Sequence, residues 1–118
     1  MITGASAGIG EACAWRFAEE GSRLILIGRR ADRLKELKDK IQKEYPEVKC
    51  HCEPLSVVDI DKVMALPEML PDDFNKVDII VNNAGLALGG YNCYNFFFKN
   101  VLISYSILNI QKSYKHNK

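Results

Sequence analysis

The stretch Thr3-Gly4-Ala5-Ser6-Ala7-Gly8-Ile9-Gly10 sets glycines where a chain can turn sharply and bring its backbone against a phosphate. Such a turn is delivered by a buried parallel strand and left by a helix. The first N–H groups of that helix have no intrahelical partner and carry partial positive charge, which suits a pyrophosphate. Glycine is needed where φ is positive or where a ligand comes too close for a Cβ. Gly4, Gly8 and Gly10, with Ser6 and Ile9 between them, are therefore candidate cofactor contacts. Only Met1 and Ile2 precede the motif, so the first strand is expected to be largely missing.

A second group bears on the same ligand. The apolar run Leu24-Ile25-Leu26-Ile27 ends in Gly28-Arg29-Arg30, about 20 residues beyond the glycine turn. An acidic residue there would bind a ribose 2′-hydroxyl and favour NAD, whereas an arginine accommodates the 2′-phosphate of NADP. Gly28 holds the acidic position, so NADP is the expected cofactor and Arg29 and Arg30 its phosphate ligands. The alternative is two solvated arginines ahead of a helix.

The elements that must position these residues alternate. Residues 8–20 read as a helix with Ile9, Ala12, Cys13 and Phe17 on one side, closed by Gly21. The run 24–27 is too short for a helix and suits a strand buried on both faces. Residues 32–45 form the clearest helix: Leu34, Leu37, Ile41 and Tyr45 make one stripe, Glu36 and Lys40 pair, and Pro46 ends it. A strand is expected over 48–57. Asp59 then caps a helix expected to be interrupted at Pro67. Val77 to Val81 reads as a buried strand running into Asn82-Asn83-Ala84-Gly85. The alternation is that of an α/β fold, the N-terminal half of a Rossmann-type doubly wound parallel sheet.

The chain has 118 residues, room for little more than one βαβαβ half, and its net charge of +1 offers no basic field for nucleic acid. Cys13, Cys50, Cys52 and Cys93 suggest no disulfide framework. Cys50 and Cys52 share one face of a strand while His51 points to the other, so no metal site is expected. No apolar run follows Met1, so no leader is expected and the cytoplasm is the default compartment.

Composition changes after Gly90. Residues 91–118 contain no Gly, Ala, Pro, Arg, Asp, Glu or Thr, yet hold four of the five tyrosines. The favoured residue types have AT-rich codons. Residues 1–90 are thus read as a partial domain, and 91–118 as a tail foreign to the fold, from translated non-coding or frame-shifted DNA. The alternative is a real but biased segment. Phe96 to Ile110 is too short for a membrane span, which needs about 20 residues. Val101 to Ile110 is rich in β-formers and an aggregation risk.

The Thr-Gly-x-x-x-Gly-x-Gly turn, followed after a βαβα stretch by Asn-Asn-Ala-Gly, resembles the short-chain dehydrogenase/reductase family over residues 1 to about 90. Leu70-Pro71-Asp72-Asp73-Phe74 and the run from Asn82 to Gly89 are similar to its NADP-dependent 3-hydroxy acid (or serine) dehydrogenases. The resemblance implies an oxidoreductase, a small hydroxy or keto substrate, and a homo-oligomer in the full-length protein. It places Asn82, Ala84 and Gly85 near the cofactor ribose. Ser56 stands where the family commonly has an adenine-binding Asp, and its hydroxyl can accept one hydrogen bond there.

Catalysis in the family uses a tyrosine whose pKa is lowered by a lysine four residues on, a serine on an earlier strand, and a relay asparagine. Tyr114 and Lys118 match the spacing but follow Gly85 too soon, with no serine-bearing strand between, and are rejected. Asn100 is a weak relay candidate, its spacing several residues short. No catalytic residue is assigned. The chain is thus expected to be the NADP-binding part of a reductase and inactive alone. A non-catalytic NADP-binding or subunit-pairing module is the alternative, and a membrane-tethered protein is disfavoured. Loss of the first strand is expected to leave two apolar edges bare, giving marginal stability or aggregation.

Overall fold

The computed structural model describes residues 1–83. Four parallel strands form one sheet: β1 (Ile2–Thr3), β2 (Leu24–Gly28), β3 (Cys50–Pro54) and β4 (Val81–Asn82), in the order β3-β2-β1-β4. Helices α1 (Gly8–Glu19), α2 (Ala31–Glu44) and α3 (Ile60–Met69) make the crossovers, with a 3-10 turn at Asp72–Phe74.

The five residues of β2 are all buried. Alternate side chains leave a strand on opposite faces, so β2 serves two cores. Leu24 and Leu26 join Ala14, Ala18, Leu34, Leu37 and Ile41 on the α1 and α2 face. Ile25 and Ile27 join Leu55, Leu66 and Leu70 on the other. The α2 stripe packs as its periodicity requires, and Lys40 and Glu36 pair at 3.0 Å.

Four expectations are corrected. In α1 the buried residues are Gly10, Ala14 and Ala18, while Ile9 is 74% exposed and Ala12 exposed. Small residues four apart let the helix lie close to the sheet, so its larger side chains flank the contact. The third strand is shorter than 48–57, although its ladder continues through Leu55 N–H to Gly28 O at 2.8 Å. Pro67 sits inside α3 rather than ending it. A proline forfeits one hydrogen bond, here near the helix end, and buried Leu66 and Leu70 hold the last turn on the core. Finally, the edges expected to be bare are joined in part: Ile2 pairs with both Leu26 and Val81, and Thr3 with both Ile27 and Asn82, while Leu24 and Ile25 pair only with β3.

Other local features follow from residue type. Gly21 has φ 78°, and the bonds Gly21 N–H to Ala18 O and Ser22 N–H to Phe17 O close α1 as a Schellman motif. Asp59 caps α3 by accepting from Lys62 N–H. Burial pushes the Cys50 thiol up to about 11 and raises Cys52 too, so both stay protonated and serve as packing. Among the described residues, no helix is long and apolar enough to cross a membrane.

Candidate cofactor-binding site

The glycine turn leaves β1 at the carboxyl end of the sheet, where α/β folds hold their ligands. Gly4 and Gly8 take φ of 62° and 57°, the left-handed region that glycine enters without strain. Gly10 is needed for a different reason. A Cβ there would lie 2.1 Å from Gly4 O and 2.7 Å from Asn83 Nδ2. The first turn of α1 is thereby drawn against the backbone of the turn it follows.

No side chain caps the N-terminus of α1, so its first N–H groups have no capping partner of that kind. A Cβ at Gly8 would meet nothing within 4 Å. That combination of uncapped amides, open space over Gly8 and an exposed Ile9 is a cradle a dinucleotide pyrophosphate fits. Ser6 completes its flank. It packs against Gly28, where a Cβ would lie 3.4 Å from Ser6 Oγ and 3.3 Å from Leu34 Cδ2.

Arg29 and Arg30 follow Gly28 directly and are exposed, Arg30 standing just ahead of α2. Ser56 lies just past β3 at the same end of the sheet, half-buried, with its carbonyl accepting from Asp59 N–H at 3.1 Å. Asn82 ends β4. Its Oδ1 accepts from Thr3 Oγ1 at 3.3 Å, and its Nδ2 is buried with no partner among the described residues. The strand ends thus gather Gly4, Ser6, Gly8, Ile9, Gly10, Arg29, Arg30, Ser56 and Asn82 at one end of the sheet. Ala84, Gly85, Asn100, Tyr114 and Lys118 lie outside the described residues, as does the 91–118 tail.

Two features were missed in the sequence. Asn83 Nδ2 donates to Gly4 O at 3.3 Å, bracing the turn from 79 positions along the chain. Its signal was its place beside Asn82 in one motif, where alternation sends the two side chains to different neighbours. Arg33 and Lys40 line a cleft of about 280 Å³ with Ser6, Glu11, Glu36 and Leu37. Their spacing on one side of α2 was legible as a helical stripe, but not its nearness to Ser6.

A family model described as short chain dehydrogenase matches residues 1–100. The sulfoacetaldehyde reductase of Chromohalobacter salexigens is 47% identical over 88 residues, covering 75% of this chain and 34% of that protein. The NADP-dependent 3-hydroxy acid dehydrogenase of Escherichia coli is 40% identical over 92 residues, with the same coverages of 75% and 34%. Serine dehydrogenase from Escherichia coli, a solved structure, superposes with a TM-score of 0.70 at 30% identity, covering 91% of this chain and 52% of that one. The chain therefore spans about a third (34%) of the length of these curated relatives. With its glycine turn carried at the carboxyl end of a parallel sheet and the family match running through most of its length, this chain belongs to the short chain dehydrogenase family.

Proposed function

We propose that this chain is the cofactor-binding part of an NADP-dependent reductase that, complete, interconverts a hydroxyl and a carbonyl on a small substrate, a 3-hydroxy acid being the class we favour. When bound, the dinucleotide supplies or accepts the hydride. The residues of this chain bind and orient it: the α1 amides with Gly4, Ser6, Gly8, Ile9 and Gly10 take the pyrophosphate, and Arg29 and Arg30 the 2′-phosphate. Ser56 flanks the adenine, while Asn82, Ala84 and Gly85 border the ribose.

The observation that carries the NADP reading is Gly28. It lacks the carboxylate that would repel a phosphate, and two exposed arginines follow. The name of the NADP-dependent relative supports the same choice.

Residues 1–90 are read as part of the Rossmann domain and 91–118 as a segment foreign to it. Without a serine, tyrosine and lysine set the chain alone does not turn over. The two residues of β1 are read as the end of a strand that is longer in the complete protein, which works in the cytoplasm as a homo-oligomer.

Fluorescence titration of the chain with NADPH and with NADH tests the proposal. A charge-assisted contact to the 2′-phosphate is worth about 1.5–3 kcal/mol, so NADPH should bind at least tenfold more tightly. Equal affinities would remove the 2′-phosphate assignment, and no binding of either would remove the site.

A further inference from the structure

The cleft of about 280 Å³ has Glu11 of α1 on one wall and Arg33, Glu36, Leu37 and Lys40 of α2 on the other, with Ser6 at the glycine turn. Ser6 fixes where the cleft lies relative to the cofactor. A Cβ at Gly28 would lie 3.4 Å from Ser6 Oγ, so this hydroxyl borders the position from which a carboxylate reaches a ribose 2′-hydroxyl. A phosphate carried on that ribose oxygen belongs at the Ser6 side of the cleft.

The charges of the cleft are not equivalent. Lys40 Nζ is held by Glu36 Oε1 at 3.0 Å. Arg33 is exposed and has no ion-pair partner among the described residues. It also stands where helix physics disfavours it. Arg33 is in the first turn of α2, at the positive end of the helix dipole, which opposes a cation. The bond from Leu34 N–H to Arg30 O at 3.1 Å closes that turn, so Arg30 and Arg33 are neighbours three apart. Like charges at this spacing repel. A phosphate held between them relieves both penalties.

We propose that Arg33 is a specificity-determining residue for the cofactor, taking the 2′-phosphate from the α2 wall while Ser6 donates to it from the glycine turn.

The inference rests on the reading that the chain binds NADP through Arg29 and Arg30, and adds a ligand that this pair does not supply. Glu11 brings the opposite sign from α1, and Glu36 cancels Lys40, so the cleft carries no net charge of its own. It therefore selects a phosphate delivered on the ribose, where Arg29 and Arg30 add their charge, over inorganic phosphate.

The test is titration of the 118-residue chain and its Arg33→Gln and Arg33→Lys variants with NADPH, NADH, 2′,5′-ADP and 5′-AMP. Arg33→Gln should weaken NADPH and 2′,5′-ADP about tenfold and leave NADH and 5′-AMP within about twofold. Arg33→Lys keeps the charge without the planar fork and should recover part of the loss. The urea midpoint of the cofactor-free chain should hold or rise in Arg33→Gln, since the like-charge and dipole penalties go. An undiminished NADPH preference in Arg33→Gln, with that preference lost in the Arg29→Gln/Arg30→Gln double variant, would overturn the role of Arg33 and keep the NADP reading. Equal losses for NADPH and NADH, or a lowered urea midpoint, would make Arg33 a structural residue and overturn the proposal. Equal affinities of the unsubstituted chain for NADPH and NADH would overturn both.

Discussion

Asn83 and Gly4 are 79 positions apart in sequence, yet Asn83 Nδ2 donates to Gly4 O at 3.3 Å and so ties the end of β4 to the glycine turn. The same Gly4 oxygen sits under the missing Cβ of Gly10. One carbonyl thus links strand end, turn and helix, and the turn keeps its shape because two other elements hold it.

Asn83→Ala removes that donor. A hydrogen bond of this kind contributes about 0.5–1.5 kcal/mol, so the urea midpoint should fall by a corresponding amount. The NADPH affinity should fall with it, since the turn loses its brace. A variant with unchanged stability and cofactor affinity would show the bond to be incidental.

Two glycine-to-alanine changes should rank clearly. Gly10→Ala drives a Cβ into backbone that cannot step aside, at 2.1 Å from Gly4 O, and should cost about 3 kcal/mol or more. Gly8→Ala meets no neighbour but inherits φ 57°, a cost of about 1–2 kcal/mol. Urea denaturation of both variants would settle the order, and equal losses would mean that the close approach at Gly10 relaxes freely.

Gly28→Asp tests cofactor choice at its source. The new carboxylate would stand at the end of β2, with its Cβ 3.4 Å from Ser6 Oγ and 3.3 Å from the mobile end of Leu34. The packing cost should be small because Leu34 can yield. The electrostatic effect should be larger: NADPH affinity falls roughly tenfold while NADH affinity holds or rises, measured by paired titrations.

Burial lowers the Met1 amino group from 8.0 to about 6, against a smaller opposing pull from the Asp78 carboxylate. The folded chain therefore binds its proton less readily than the unfolded chain. Between pH 6 and 8 the unfolded state carries more protons, so stability rises with pH across that window and falls as pH drops toward 6. Urea midpoints at pH 5.5 and 8.5 should show it, and acetylating Met1 should flatten the profile. Identical midpoints in the free-amine chain would mean that the nitrogen is solvated.

Much of this was legible in residue order because the relevant physics is local. The α2 stripe of Leu34, Leu37 and Ile41 follows from helical spacing, the all-buried β2 from an uninterrupted apolar run between breakers, and the α1 stop from Gly21. The glycine turn and Gly28-Arg29-Arg30 were legible for the same reason: a turn and the residues after a strand are specified within a few positions. In α1 this reasoning misled, because its buried face is built from Gly10, Ala14 and Ala18, whose small size matters more than their apolarity.

What remained depends on how distant segments meet. Pro67 stays helical because Leu66 and Leu70 are anchored on a core assembled from β2 and the segment after β3. The brace from Asn83 to Gly4 and the nearness of Arg33 to Ser6 exist only once the sheet has its order. Periodicity sets which side of an element is apolar, but register between strands sets which residues face one another. Register here comes from packing two cores across one sheet, a condition no short window of sequence contains.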